Sequence, residues 1–229
     1  MVTFYTKLKI VLFIAMFYSS SLMAQNYFSA LGEHNLSINH NVSGIYKYNF
    51  SISTRHYIYN NETTNVHIRQ LDFKHFSTYS LSLDNSISLG LQYRNRDWFE
   101  HSNNEVRITQ QFNTITKLRA LRFGHRFRAE QRITNQKTTH RFRYRFAVDF
   151  PLNGEQLDIG EAYIVATNEA LYSVARATKP ELDYRITTQL GWLYSKNLKL
   201  QFGLEYRFEG FNIEKNQKLH ILTSGVIKI

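Results

Sequence analysis

Cysteine is absent from the 229 residues, and this absence removes several kinds of protein at once. A chain without thiols has no disulfide framework, no thiolate zinc site, no iron–sulfur cluster, no cysteine nucleophile and no lipidated cysteine. Proline occurs twice, and no stretch rich in Pro, Gly or Ser has the composition of an interdomain linker. We therefore expect one folded domain without covalent cross-links.

Long apolar runs are also missing, apart from one at the N-terminus, so a bundle of membrane helices is excluded. The chain is instead rich in aromatic side chains, at 15% of its residues, and carries a formal net charge of +10 from 28 basic and 18 acidic side chains. A disordered polycation would hold far fewer aromatic residues. The composition indicates a basic, folded protein.

The first 24 residues have the pattern of a secretory signal peptide. Lys7 and Lys9 form a basic start, Ile10–Tyr18 is apolar and uncharged, and a small-residue stretch ends at Ala24. The apolar run is about half of the roughly 20 residues that a membrane-spanning helix needs, which disfavours an anchor. We predict a signal peptide over residues 1–24 and a β-barrel domain over 25–229. Export makes nucleic acid an unexpected partner despite the basic charge.

Apolar and polar residues alternate with period two through the rest of the chain, which is typical of β-strands. From Leu81 to Tyr93 the odd positions are apolar except for Asn85, and the even positions are polar or glycine. Short polar clusters separate the runs, so neighbouring strands are expected to be antiparallel. Eleven runs follow this pattern: 28–42, 44–59, 66–76, 79–94, 105–116, 118–133, 138–150, 161–174, 182–194, 198–208 and 217–229.

Parity fixes the register of one hairpin. From Arg122 onward, charged residues are even-numbered in the run 118–133, and they are odd-numbered in the run 138–150, so the polar faces coincide only when paired residue numbers have an odd sum. A sum of 271 places a tight turn at Asn135-Gln136. Two of the resulting charged pairs are arginine pairs, which are destabilising unless acids from neighbouring strands or bound anions approach them. The predicted pairs are Glu130 with Arg141, Arg128 with Arg143, Arg126 with Arg145, Arg122 with Asp149, Phe127 with Tyr144, Ala129 with Phe142, and Phe123 with Val148.

The apolar face consists of large residues, which fit the outside of a barrel more easily than a small tapering interior. A membrane barrel has an apolar outer band, aromatic girdles and a polar lumen. We therefore predict an all-β fold, a single antiparallel up-and-down transmembrane barrel of about 10–12 strands, with an even count of ten or twelve expected. The alternative is a soluble periplasmic β-barrel binding protein with its apolar face inside. The predicted lipid-facing residues are Phe123, Phe127, Phe142, Tyr144, Phe146, Phe202, Leu204 and Tyr206.

Several segments carry a resemblance to a known family. They are 140–146 (HRFRYRF), 149–152 (DFPL), 168–171 (NEAL), 183–185 (DYR), 191–194 (GWLY) and 202–207 (FGLEYR). Together they resemble the domain of unknown function 2490 family, from about Asn35 to the C-terminus. That family is similar to outer-membrane β-barrels of Gram-negative bacteria and has no assigned activity. Ile229 departs from the aromatic residue with which many such barrels end.

The resemblance implies a location in the cell outer membrane and a set of recurring polar residues on the lumen side. Arg143, Arg145, Glu169, Arg185 and Arg207 match these positions. The alternation within each run adds others to the set. The predicted polar ladder of the lumen is Arg122, Arg126, Arg128, Glu130, Arg141, Arg143, Arg145, Asp149, Glu169, Arg185, Glu205 and Arg207.

Two interpretations of the lumen arginines follow. Rings of basic side chains favour anions, which predicts a narrow anion-preferring pore. Alternatively the arginines form salt-bridge ladders that fill the barrel, since charged groups inside a narrow lumen need partners or water. The candidate acids are Glu130, Asp149, Glu161, Glu169, Asp183 and Glu205. We favour the second interpretation, a structural or surface-binding barrel with a narrow, salt-bridged basic lumen.

A lipid-modifying barrel enzyme is the remaining alternative, because His56 and His125 lie in the apolar phase of their strands. The sequence places no serine beside either one, and it contains no Gly-x-Ser-x-Gly elbow, phosphate loop or His-Glu-x-x-His motif. We therefore predict no enzyme, no catalytic or metal-binding residue and no cofactor. The expected partners are outer-membrane lipid including lipopolysaccharide, the outer-membrane assembly machinery and a small anionic solute.

Overall fold

A computed structural model describes residues 28–60, 68–96, 104–214 and 216–229. The predicted signal peptide, and Val66 and His67 of the third run, lie outside these residues. The described part is built from strands, and it contains no helix long and apolar enough to cross a membrane. The strands are β1 Phe28–Asn41, β2 Tyr46–Asn60, β3 Ile68–Ser80, β4 Asn85–Arg96, β5 Glu105–Leu118, β6 Leu121–Ile133, β7 Thr138–Pro151, β8 Ala162–Ala175, β9 Glu181–Ser195, β10 Leu198–Glu209 and β11 Asn216–Lys228.

The strands of the described residues close into one barrel, in which each strand pairs with its neighbours along the chain and β1 pairs with β11. The prediction of an all-β, up-and-down barrel of about 10–12 strands is therefore confirmed. The parity-based register is confirmed as well, because Arg122 pairs with Asp149 and Ile133 pairs with Thr138. The hairpin turn is held by the Thr134 amide, which donates to the Lys137 carbonyl at 3.0 Å.

The expectation of an even strand count was wrong, because the described residues form eleven strands. In a meander with an odd number of strands, the first and last strands run in the same direction. They can then close the barrel only by parallel pairing, and β1 and β11 do so from Phe28↔Gln217 to Asn39↔Lys228. Phe28 and Lys228 consequently lie at opposite ends of the barrel, which we call the Phe28 end and the Lys228 end.

One predicted strand boundary was also wrong. The run beginning at Tyr79 was expected to be one strand, but Tyr79 and Ser80 end β3 and a turn follows. The Ser82 hydroxyl accepts the Asn85 amide hydrogen at 3.0 Å, and the Leu81 amide donates to the Asn85 carbonyl. Side chain-to-backbone bonds of this kind compete with strand pairing and favour a turn. The alternation of apolar and polar residues continues through Leu81 and Leu83, so it did not reveal where the strand ends. Leu83 is fully exposed there.

The two faces of the barrel wall differ strongly in polarity. Large hydrophobic side chains stand on the outside, where Phe127, Phe142 and Phe202 are each more than half exposed. The buried side chains of the described residues are mostly polar or charged, and Leu31, Tyr163 and Leu171 are the buried hydrophobic ones. A soluble protein buries its apolar surface and exposes its charges, so this polarity is inverted.

Candidate functional site

The lumen of the barrel collects most of the charged side chains, because every second residue of each strand points inward. In the half nearer the Phe28 end, a cavity of about 610 Å³ is bordered by fifteen Arg and Lys and eight Asp and Glu side chains of the described residues. We call its border the charged layer. Ten predicted lumen residues lie in it: Arg126, Arg128, Glu130, Arg141, Arg143, Arg145, Glu169, Arg185, Glu205 and Arg207.

Glu105 is the most heavily paired carboxylate of the lumen. It is 1% exposed, and its oxygens accept from Arg96 at 2.9 Å, from Arg132 at 2.9 Å and from Arg107 on its own strand. Three guanidinium groups from β4, β5 and β6 therefore share one buried carboxylate. Separating the strands or removing one partner would leave charges without compensation, which is destabilising. The cluster therefore stabilises the association of the three strands.

A chain of ion pairs continues around the wall from β6 to β9. Arg143 donates to Glu130 at 2.8 Å and lies 3.6 Å from Glu169. Arg185 lies 3.5 Å from the same Glu169 oxygen. Arg143 and Glu169 thus each bind two partners, so neighbouring strands are joined by side chains as well as by backbone hydrogen bonds.

Ion pairs also join the strands around the parallel seam, the pairing of β1 with β11 that closes the barrel. Glu33 on β1 accepts from Arg55 at 2.7 Å and lies 3.3 Å from Arg207 on β10, so this second contact passes across β11. His220 on β11 is buried, with its Nδ1 3.5 Å from Glu33. Parallel pairing is slightly less stable per residue than antiparallel pairing, and these contacts add side-chain links where the barrel closes.

Other carboxylates of the lumen are also paired. Asp72 accepts two bonds of 2.7 Å from Arg94, a bidentate arrangement that is among the strongest for an arginine. Asp183 lies 3.6 Å from Arg141 and accepts the Gly210 amide hydrogen at 2.9 Å. Further contacts join Glu205 and Glu209 to Arg207, and Glu209 to Lys218.

Sequence reasoning missed several of these residues, although each one has the inward parity of its strand. The hairpin of β6 and β7 drew attention because its charges are dense, whereas isolated charges such as Glu33, Asp72 and Glu105 gave a weaker signal. The expectation that Glu161 pairs with the arginines was wrong. Glu161 precedes β8 and accepts the Asp158 amide hydrogen at 3.0 Å, within its own loop.

The two arginine pairs of the β6–β7 hairpin have different surroundings. In the first pair, Arg143 contacts Glu130 and Glu169, and Arg128 donates to Gln111 and lies 3.5 Å from Glu130. The second pair, Arg126 and Arg145, has no carboxylate within 4.0 Å among the described residues. Arg126 donates its Nε–H to Asn113 at 2.8 Å, and the Arg145 side chain makes no hydrogen bond within the described part of the chain.

Nearer the Lys228 end, the lumen contains a second cavity, of about 860 Å³, which we call the neutral chamber. We use this name because most of the residues that line it are uncharged. They include apolar residues such as Val165 and Val226, and the hydroxyl and amide side chains of Ser86, Ser88, Gln111, Asn113, Gln189 and Gln201. Arg122 and Asp149, the two other residues of the predicted ladder, lie at its rim and are 2.9 Å apart. Arg126 and Arg145 border both this chamber and the charged layer.

Gly191 leaves space for the aromatic ring of Tyr163 at the wall of the neutral chamber. The Tyr163 ring lies over Gly191 on the neighbouring strand, and a methyl group at Gly191 would be 2.2 Å from Tyr163 Cζ. The Tyr163 hydroxyl accepts a hydrogen bond of 2.9 Å from Gln201. The missing side chain at position 191 therefore lets the ring lie flat against the wall, which leaves the chamber open.

Several polar side chains on the outer wall are paired with one another. His125 Nδ1 lies 2.9 Å from the Tyr144 hydroxyl, Gln110 and Gln131 exchange bonds of 3.1 and 3.2 Å, and His34 Nδ1 lies 2.5 Å from Thr223 Oγ1. The His56 ring stacks on His34 with centroids 5.1 Å apart. His56 and His125, the two histidines that raised the enzyme alternative, thus lie next to His34 and Tyr144, respectively.

The predicted lipid-facing residues all lie on this outer face. Phe127, Phe142, Tyr144, Phe202 and Leu204 are exposed. Phe123, Phe146 and Tyr206 are partly covered by neighbouring rings: Phe123 by Phe146, Phe146 also by His125, and Tyr206 by Phe208. No group of His, Asp or Glu side chains in the described residues is arranged to hold a metal ion.

A family model described as "Protein of unknown function (DUF2490)" matches residues 34–218. The chain belongs to the DUF2490 family. The match begins within β1 and ends at the start of β11, so it covers β2–β10 in full and most residues of the charged layer and of the neutral chamber. No curated protein matches the sequence significantly. Membership of the DUF2490 family assigns no activity to the barrel.

Proposed function

We propose that this DUF2490 protein is an outer-membrane β-barrel of Gram-negative bacteria, with a structural or surface-binding role and a narrow lumen restricted by ion pairs. The observation that carries the proposal is the inverted polarity of the wall. A barrel with phenylalanines outside and carboxylate–guanidinium clusters inside suits a hydrocarbon surrounding and a polar interior.

Two further features support this location. The strands are 12–15 residues long, which exceeds the roughly 9–11 residues that a tilted strand needs to cross a membrane. Several polar groups on the outer wall bond to one another, as Gln110 and Gln131 do, and in hydrocarbon an unsatisfied polar group would cost several kcal/mol. The N-terminal signal pattern is consistent with export. The partners we propose are outer-membrane lipid including lipopolysaccharide, and the assembly machinery that inserts such barrels.

The purified protein tests the proposal directly. In detergent it should be β-rich by circular dichroism, and its gel mobility should differ between unheated and boiled samples. Protein that stays monomeric and soluble without detergent would contradict the membrane location and favour the soluble binding-protein alternative.

A narrow anion-preferring pore is the second candidate, and the excess of basic side chains around the charged layer favours it. Single-channel recording of inserted protein in a planar bilayer separates the two. A closed structural barrel gives no discrete steps, whereas a pore gives anion-selective steps that Arg143→Ala reduces. We propose no enzymatic activity.

A further inference from the structure

We propose that Arg126 and Arg145 form a binding site for a small phosphate-bearing solute, which enters the neutral chamber from the Lys228 end. The proposal concerns the lumen alone and does not depend on where the protein is located. It rests on three features: two arginines without a carboxylate within 4.0 Å among the described residues, the chamber that these arginines border, and the charge of its rim.

The first feature is the contrast between these arginines and their neighbours. Most lumen arginines have a carboxylate within 4.0 Å, whereas Arg126 and Arg145 have none among the described residues. Arg126 uses only its Nε–H, on Asn113, so the four hydrogens on its terminal nitrogens make no bond. Glu169 is the cross-strand neighbour of Arg145, but its Oε2 lies 3.6 Å from Arg143 and 3.5 Å from Arg185.

The second feature is the direct pairing of the two arginines across β6 and β7. Side chains opposite each other on one face of a sheet have Cβ atoms about 4.5–5.5 Å apart, and like charges in this arrangement destabilise the sheet. An oxyanion between the two guanidinium groups would replace that repulsion with charge-assisted hydrogen bonds. Arginine forms such bonds with phosphate in a bidentate geometry.

The third feature is the space in front of the pair. Its volume of about 860 Å³ lies within the range of small-molecule sites, about 300–1,000 Å³. The walls offer hydroxyl and amide groups that can bind a polar, uncharged remainder of a ligand. Four basic and two acidic side chains lie around the outer part of the chamber, so an anion is attracted inward: Lys47, Lys117, Arg122, Lys199, Asp149 and Glu155.

The test titrates the full-length protein, folded in detergent, with inorganic phosphate at constant ionic strength, and follows the heat of binding. We expect saturable binding that Arg126→Gln and Arg145→Gln each weaken at least about tenfold. Arg176→Gln is the matched control, because Arg176 is an exposed arginine in the loop after β8, and it should leave the affinity unchanged. Absence of saturable binding, or equal binding by all four proteins, would overturn the proposal.

Thermal unfolding without phosphate distinguishes a ligand site from a structural pair. Because each glutamine variant removes a repulsion, its melting temperature should equal or exceed that of the parent. Phosphate should then raise the melting temperature of the parent and of Arg176→Gln, but not that of the other two variants. If Arg145→Gln melts below the parent in phosphate-free buffer, the pair stabilises the empty barrel and the assignment is wrong.

The neutral walls are tested with two sugars. Glucose 6-phosphate should bind more tightly than inorganic phosphate, since the chamber wall offers hydroxyl and amide side chains to its sugar hydroxyl groups, and glucose should not bind measurably. Binding of glucose that both glutamine variants retain would show that the arginines are not what the chamber recognises.

Discussion

Glu105 offers the sharpest test of the ion-pair clusters, because its buried carboxylate holds three arginines. The substitution Glu105→Gln keeps the size of the side chain and removes its charge. Arg96, Arg107 and Arg132 would then lose the carboxylate that they share. Breaking a buried ion pair by removing one partner costs about 3–5 kcal/mol.

For a domain of this size, each kcal/mol shifts the melting temperature by about 2–4 °C, so Glu105→Gln should lower it by roughly 6–20 °C. Glu214→Gln is the control, since Glu214 is an exposed acid in the loop before β11. The assay follows the folded, β-rich circular dichroism signal in detergent during heating, with gel mobility as a second readout. A melting temperature of Glu105→Gln equal to that of Glu214→Gln would refute the view that the cluster holds the wall together.

Three other predictions address the outer wall, the seam and the ion-pair chain. Phe127→Lys should hinder insertion into the membrane, because a cation on the lipid face costs about 2–4 kcal/mol at the midplane. Leu83→Lys, in an exposed turn, should insert normally. Equal yields of the two variants in the membrane would contradict this prediction. The double variant His34→Cys with Thr223→Cys should cross-link on oxidation, because these residues pair across the parallel seam and the chain has no other thiol; failure to cross-link in folded protein would contradict parallel closure. Arg143→Ala should lower the melting temperature, since Glu130 and Glu169 both lose a partner, and unchanged melting would exclude a stabilising role for this arginine.

Parity made much of the wall predictable. Because side chains alternate strictly along a strand, the charges of β6 and β7 coincide in only one family of registers, and the pairing of Arg122 with Asp149 followed from the sequence. The same alternation assigned Phe127 and Tyr144 to one face. These inferences need only two neighbouring strands and the turn between them.

Closure of the barrel and the choice of ion-pair partners could not be predicted in this way. Parallel pairing of β1 with β11 depends on the total strand count, and the turn at Ser82 made one boundary misleading. Arg143 is opposite Arg128 in the register, yet its side chain reaches Glu130 and Glu169. Long side chains reach beyond their cross-strand partner, so parity gives the face of a residue without giving its contact.

Single cysteines can show which face of the barrel wall contacts lipid and which contacts water, since the chain has no cysteine of its own. Gln201 and Phe202 are consecutive residues of β10, and Gln201 borders the neutral chamber whereas Phe202 is more than half exposed on the outside. A fluorescent label on Phe202→Cys, in protein reconstituted into lipid, should be quenched by brominated acyl chains, and the same label on Gln201→Cys should respond only to a water-soluble quencher. The opposite pattern, or equal quenching at both positions, would contradict a barrel with lipid outside and charges inside.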